Sequence, residues 1–168
     1  QFYKETSKVS NLYLYTSGIV IEGLDIDYST ASATHAVYIS TSNVTLKRNR
    51  IRAHATGTAA SYRSRAVYVA SNYNSITIEQ NWIEATAAND IGLVAAIHFD
   101  SYPVNSVIRN NIIYSDTNNY AIFMDEDNPE SSLVITNNTI WGDISTHNSA
   151  HYNNILIYGT YTEGNGEL

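Results

Sequence analysis

The sequence has no cysteine, which excludes a disulfide framework, thiol catalysis and thiolate-bound metal, and leaves the redox compartment open. Basic charge is scarce: 9 Lys and Arg face 16 Asp and Glu, for a formal net charge of −7. That balance argues against nucleic acid as the main partner, because duplex binding rests on clustered cations. No apolar run approaches the length of about 18 residues that reads as a membrane-spanning helix. A charged-then-apolar leader is missing too, and the chain begins at Gln1, as a processed or excised piece does. Unbranched helix formers are few: 8 Leu and 1 Met stand against 19 Ile, 10 Val and 16 Thr. β-Branched side chains lose rotamer freedom in a helix and pack well on a pleated surface, so a helical bundle is disfavoured.

What is present is a repeat. The segments VTLKRNRI (44–51), ITIEQNWI (76–83), SVIRNNII (106–113) and LVITNNTI (133–140) share apolar third and eighth places and an Asn in the sixth: Asn49, Asn81, Asn111 and Asn138. IVIEGLDI (19–26) fits with Leu24 in place of the Asn, and AHYNNIL (150–156) fits loosely around Asn154. A second series runs between these: NLYL (11–14), AVYI (36–39), AVYV (66–69), AIHF (96–99) and AIFM (121–124). Each repeat of 25 to 32 residues therefore carries three short strands: A (AVYI-like), B (VTLK-like) and C (RIRA- or IIYS-like). The B-to-C corner is a tight bend of constant length, and the other connections vary. Three four-residue strands cannot bury an inner face alone, so the repeats must stack in parallel register. The expected fold is all-β, a parallel β-helix of about six coils over residues 11–158, one domain spanning 1–168, with 159–168 as a C-terminal tail.

With these motifs the whole chain resembles the right-handed parallel β-helix superfamily of pectate lyases, polygalacturonases and tailspikes, and the inward Asn series is similar to that scaffold's asparagine ladder. The resemblance implies a secreted or cell-surface protein with a polysaccharide as partner. It also implies a substrate cleft on the strand that follows the long variable connection, which here is strand A. No catalytic motif carries over: the pectate lyase WIDH-type and RxPxxR-type segments are absent, as are the polygalacturonase NTD, DD, GHG and RIK segments.

Period-two alternation assigns faces. On strand B the outward residues Glu22, Lys47, Glu79 and Arg109 alternate in sign, Arg52 and Glu84 do the same on strand C, and Asp25 is expected to face Arg50. These read as solvated pairs that fix register. Strand C turns apolar along the chain, through Trp82, Ile112 with Tyr114, and Trp141 to Ile155 and Ile157, a patch that calls for a partner subunit or a covering segment. Strand A presents Tyr38, Tyr68, His98 and Phe123 one coil apart. The connections 54–65 and 86–95 would wall this face, the first carrying Arg63 and Arg65. Aromatic faces suit stacking on sugar rings and arginines suit uronate carboxylates, so these six residues are the expected ligand-binding set. Asp100 and Asp125 fall on adjacent coils, about one strand spacing (~5 Å) apart, and with His98 are the catalytic candidates. Asp100, Asp125, Asp127 and Glu130 are the candidates for Ca²⁺. Three functions stay open on this pattern: glycan binding, a polysaccharide lyase or glycoside hydrolase on the same face, and a structural module of tailspike or filament type.

Overall fold

The computed structural model describes residues 8–31, 34–57, 63–88, 93–116, 120–125 and 132–146, together with the backbone of 155–158 and 161–163. The first strand, β1 (Lys8–Val9), precedes a regular cycle of three. The cycle opens with β2 (Leu12–Leu14), β3 (Val20–Glu22) and β4 (Asp25–Thr30), then β5 (Thr34–Ile39), β6 (Val44–Lys47) and β7 (Arg50–Ala55). It continues with β8 (Arg63–Val69), β9 (Ile76–Glu79), β10 (Trp82–Ala87), β11 (Leu93–Phe99), β12 (Ser106–Arg109) and β13 (Ile112–Ser115). β14 (Tyr120–Met124), β15 (Leu133–Thr136), β16 (Thr139–Trp141), β17 (Asp143–Thr146), β18 (Ile155–Tyr158) and β19 (Tyr161–Glu163) complete it. Each third strand joins the same sheet, giving a strand-A sheet β17-β14-β11-β8-β5-β2, a strand-B sheet β18-β15-β12-β9-β6-β3 and a seven-stranded strand-C sheet from β1 to β19. Every pairing is parallel, so the chain is a parallel β-helix with no helix among the described residues.

The inward columns are those of the repeat. Leu46, Ile78, Ile108 and Ile135 align in the strand-B sheet, Ile26, Ile51, Ile83, Ile113 and Ile140 in the strand-C sheet, and Val37, Val67, Ile97 and Ile122 in the strand-A sheet. All are fully buried. Each fully buried aliphatic side chain contributes about 1.5–3 kcal/mol, and none could do so in a lone coil.

The B-to-C corner is held by the asparagines. Asn81 Oδ1 accepts from the backbone N–H of Asn49 at 2.9 Å and from Asn49 Nδ2 at 3.1 Å. Asn111 does the same for Asn81, and Asn138 for Asn111, all four being buried. The second Nδ2 hydrogen goes to a backbone carbonyl of the preceding coil: Ile21, Leu46, Ile78 and Ile108 in turn. The series ends at Leu24, whose backbone N–H donates to Asn49 Oδ1 at 3.0 Å. Leu24 offers that donor without an amide of its own. The left-handed residue is not the Asn but the one before it, Gly23, Arg48, Gln80, Asn110 and Asn137, with φ from 53° to 73°. Such backbone costs a non-glycine residue about 1–2 kcal/mol, and the Asn bonds offset that.

Several expectations change. The connections predicted at 54–65 and 86–95 are shorter, because pairing carries on past the repeat core (Ala87 with Ala55, Leu93 with Arg63). Arg63 and Arg65 therefore lie on β8 and not in a loop. Asp25 stands opposite Arg50 in the register, as expected, with Lys8 on its other side, but it is buried and not solvated. Glu22 pairs with Lys47 at 3.6 Å and with Arg48, Asp27 with Arg52, and Glu79 with Arg109 at 2.6 Å, as solvated links between coils. In the last coil, Ile155 and Ile157 belong to the strand-B sheet, and the strand-C position is taken by β19, inside the segment expected to be a tail. Asn154 lies outside the described residues. Trp82 (39% exposed) and Tyr114 (37%) do present an apolar surface on the strand-C sheet.

Asn81→Leu removes the acceptor shared by two Asn49 donors and leaves them buried, a loss of about 1–3 kcal/mol. Thermal unfolding should register it as a melting point lower by several degrees; an unchanged melting point would contradict the column's role.

Candidate functional site

The strand-A sheet departs from strict alternation. His35 and Tyr38 are three residues apart, yet their rings meet at 5.7 Å, and Tyr120 and Phe123 meet at 4.6 Å. Period two would place such pairs on opposite faces. The register pairs step from His35–Arg65 to Val37–Val67 and skip the alanines between, and a register shift is recorded between Tyr120 and Ile122. Ala36, Ala66, Ala96 and Ala121 are each fully buried at this irregularity. Like a β-bulge, it re-aims the residues upstream. Two outward rows result: His35, Arg65, Ala95 and Tyr120, and Tyr38, Tyr68, His98 and Phe123.

The second row is the expected aromatic column, continued upstream by Tyr13. Its rings are not a flat platform. Tyr38 and Tyr68 tilt at 48°, Tyr68 and His98 at 67°, and His98 and Phe123 at 70°, with centroids 5.1–5.5 Å apart. Edge-to-face packing of this kind satisfies the ring quadrupoles within the protein. Exposure falls along the row: Tyr13 is 47% exposed and Tyr38 and Tyr68 are partly buried, whereas His98 (0%) and Phe123 are buried. The expectation that His98 and Phe123 offer open faces is corrected by this covering. Tyr15, 67% exposed and stacked on Tyr13 at 6.4 Å, extends the accessible end instead.

Around the middle of the row the polar groups gather. Tyr68 hydrogen-bonds Asp100 through its side chain, and burial together with this carboxylate pushes its phenol above the usual range. His98 has its pKa lowered to about 3, by burial first and then by Arg65, Arg63 and His35. It is therefore neutral, and Nε2–H donates to Asp125 Oδ2 at 3.1 Å. Each carboxylate is thus held by the ring one coil upstream. Arg65, 3% exposed, lies over the Tyr68 ring with its guanidinium carbon 4.4 Å from the centroid, and Nη1 donates to His35 Nε2 at 2.8 Å. His35 must be unprotonated there to accept; burial and Arg65 lower its pKa to about 4.

His98, Asp100 and Asp125 bring one ligating atom each within 4.8 Å of one another. Asp127 and Glu130, the other expected Ca²⁺ ligands, lie outside the described residues. Among the described residues the donors are two carboxylates and an imidazole, with Arg63 and Arg65 acting on the same ring. These three residues alone supply fewer oxygens than the six to eight that Ca²⁺ takes. The structure therefore brings Asp100, Asp125, His98, Tyr68, Arg63 and Arg65 to one face. His35, Tyr15 and Tyr120 were missed. The signal for His35 and Tyr120 was the alanine repeated three times over: His35-Ala-Val-Tyr38, Arg65-Ala-Val-Tyr68 and Tyr120-Ala-Ile-Phe123 share one spacing.

No family model matches the chain, and no curated protein matches it. Among solved structures, the pectin methyl esterase of the rice weevil aligns over 92% of this chain and 58% of that one, at 14% identity and a TM-score of 0.47. The chain thus spans under two-thirds of that protein's length.

The neutral histidines make stability depend on pH. An unfolded histidine takes up its proton near pH 6.5, whereas folded His35 and His98 hold out to about 4 and about 3. Between those values the unfolded chain binds more protons, so acid favours unfolding. The contribution is complete above pH 6.5 and is lost as pH falls toward 4. Melting temperatures should decline over that window, and His35→Gln, which keeps an acceptor for Arg65, should decline less steeply. A flat wild-type profile from pH 7 to 4.5 would refute the assignment.

Proposed function

We propose that the strand-A face binds an extended glycan, and that the chain is the polysaccharide-interacting part of a secreted or cell-surface protein. The observation that carries this reading is a shelf of exposed tyrosine rings leading into a cluster of hydrogen-bonding groups on one sheet. Tyr13, Tyr15 and Tyr38 touch one another at 5.5–6.4 Å, and Tyr68, Asp100, Asp125 and Arg63 follow on the next coils. Sugar rings have apolar faces and polar edges, so they stack on tyrosine and hydrogen-bond to carboxylates and guanidinium groups beside it. Coil spacing of about 4.8 Å lets one chain lying along the helix axis meet successive coils. His98 and Phe123 continue the row of Tyr38 and Tyr68 but are buried, so they pack against the accessible rings and are not part of the open shelf.

A second reading, hydrolysis or lyase cleavage on the same face, is favoured by the approach of Asp100 and Asp125 within 4.8 Å. Carboxyl groups about 5 Å apart are the spacing of retaining glycosidases. A reducing-end assay separates the two readings: release abolished by Asp100→Asn and by Asp125→Asn supports cleavage, and binding without release supports the first.

Titration calorimetry with pectin, alginate and a neutral glucan tests the main proposal. Tyr13→Ala and Tyr15→Ala are surface changes that leave the core intact. Each should cost about 1 kcal/mol of binding, a loss of roughly fivefold. No heat from wild type with any of the three would overturn the proposal.

A further inference from the structure

We infer that the strand-C sheet is the contact face of a two-fold dimer, its occupant a second copy of this chain lying antiparallel to the first. The inference is independent of the glycan reading, since the strand-A sheet takes no part in the contact. The outward face of the strand-C sheet divides along the helix axis. Its early coils are charged, with Asp27 on β4 and Arg50 and Arg52 on β7. Its later coils are aromatic, with exposed Trp82 on β10 and exposed Tyr114 on β13. Glu84 stands where the halves meet, opposite Arg52 on one side and Tyr114 on the other. Arg52 does not pair with it. The guanidinium donates to Asp27 instead, and Glu84 accepts from Trp82 Nε1 at 3.4 Å. Among the described residues Glu84 is therefore a carboxylate without a cation, flanked by two exposed rings.

A two-fold axis parallel to the strands, midway between β7 and β10, matches these groups in pairs. It sets β7 of one copy against β10 of the other, and β4 against β13. Arg52 then meets Glu84 of the second copy, Arg50 meets its Trp82 ring, and Asp27 meets its Tyr114 hydroxyl. Each contact is made twice, because the same patch serves both copies. The three are a salt bridge, a cation–π contact and a charge-assisted hydrogen bond. Asp25, which this axis sets opposite Ile112, is buried and brings no charge there. The alternative axes fail on charge. One lying on β10 presses Glu84 against its own twin, and one along the helix sets Arg50 against Arg52. Like charges so placed repel, which fixes the register. At a strand spacing of about 4.8 Å and a rise of about 3.3 Å per residue, the strands from β1 to β16 form a face of about 430 Å². With side-chain relief the two copies together bury about 1,000 Å², the lower bound of a specific interface. The dimer is accordingly transient, with a dissociation constant of about 10⁻⁵ M.

Analytical ultracentrifugation from micromolar to millimolar concentration tests this directly. The average mass of wild type should rise from 18.7 kDa toward twice that value and stop there. Glu84→Arg and Arg52→Glu each place like charges across the axis twice, and each should weaken the dimer about tenfold or more. Mixed in equal amounts, the two variants regain both salt bridges and should form a heterodimer within about threefold of wild-type affinity. A wild type that stays monomeric at millimolar concentration overturns the inference, whether solvent or another segment of the chain lies over Trp82. A species larger than a dimer overturns it as well, because a closed two-fold contact ends at two copies. A dimer that withstands Glu84→Arg refutes the pairing, and so do folded variants whose mixture stays monomeric. Melting curves establish which variants are folded. The wild-type mass and the response to Glu84→Arg decide the matter even where Arg52→Glu, which sets a third carboxylate beside Asp27 and Glu84, fails to fold.

Discussion

Everything in this molecule depends on each coil offering the next an identical row of hydrogen-bonding groups. A parallel strand has no partner within its own coil, so its backbone is satisfied only by the coils before and after it. The corner between strands B and C is where this demand is hardest to meet, because the chain turns through a left-handed residue with its polar groups facing inward. The asparagine side chain solves it by adding one acceptor and two donors, all used, in the same direction as the strand bonds. Once that corner is locked, coil length can vary only elsewhere. The variation falls on the connections into and out of the strand-A sheet.

That freedom is what makes strand A the chemical face. Strands β8 and β11 run longer than their strand-B neighbours, and an alanine too small to disturb the core lets the chain shift phase and present two outward rows. Side chains from neighbouring coils then interlock. A ring on one coil bonds a carboxylate on the next, and an arginine on one coil is held by a histidine on the coil before. Burial keeps both histidines neutral, so the charge of the cluster lies in its carboxylates and guanidinium groups.

The stacking columns were legible in the sequence because they rest on residue type at a fixed period: Ile and Val inward, Asn at one corner, tyrosines in one row. The adjacent-coil placement of Asp100, Asp125 and His98 followed from the same count. Burial on the outer face was not legible, since whether His98 and Phe123 are covered depends on how side chains of neighbouring coils lean, and a period of two carries no such information. His35 was lost for a related reason. Strict alternation assigned it inward with respect to Tyr38, and only the phase shift at Ala36 brings it out. Which residue takes the left-handed turn was not legible: Asn tolerates that backbone, but at this corner its side chain is needed inside, so the residue before it, Arg48 or Gln80, takes the strain. The last coil went astray because its strand-C partner, Tyr161–Glu163, shows none of the repeat's Ile or Asn markers.

The proposed ligand lies along one sheet, the strand-A sheet. The most direct measurement is a two-dimensional amide NMR titration of the labelled protein with a soluble acidic oligosaccharide. Shifts confined to β2, β5, β8, β11 and β14, with the backbone around Trp82 and Tyr114 unmoved, are what the account predicts. Shifts centred on the strand-C sheet, or none at millimolar ligand, would contradict it.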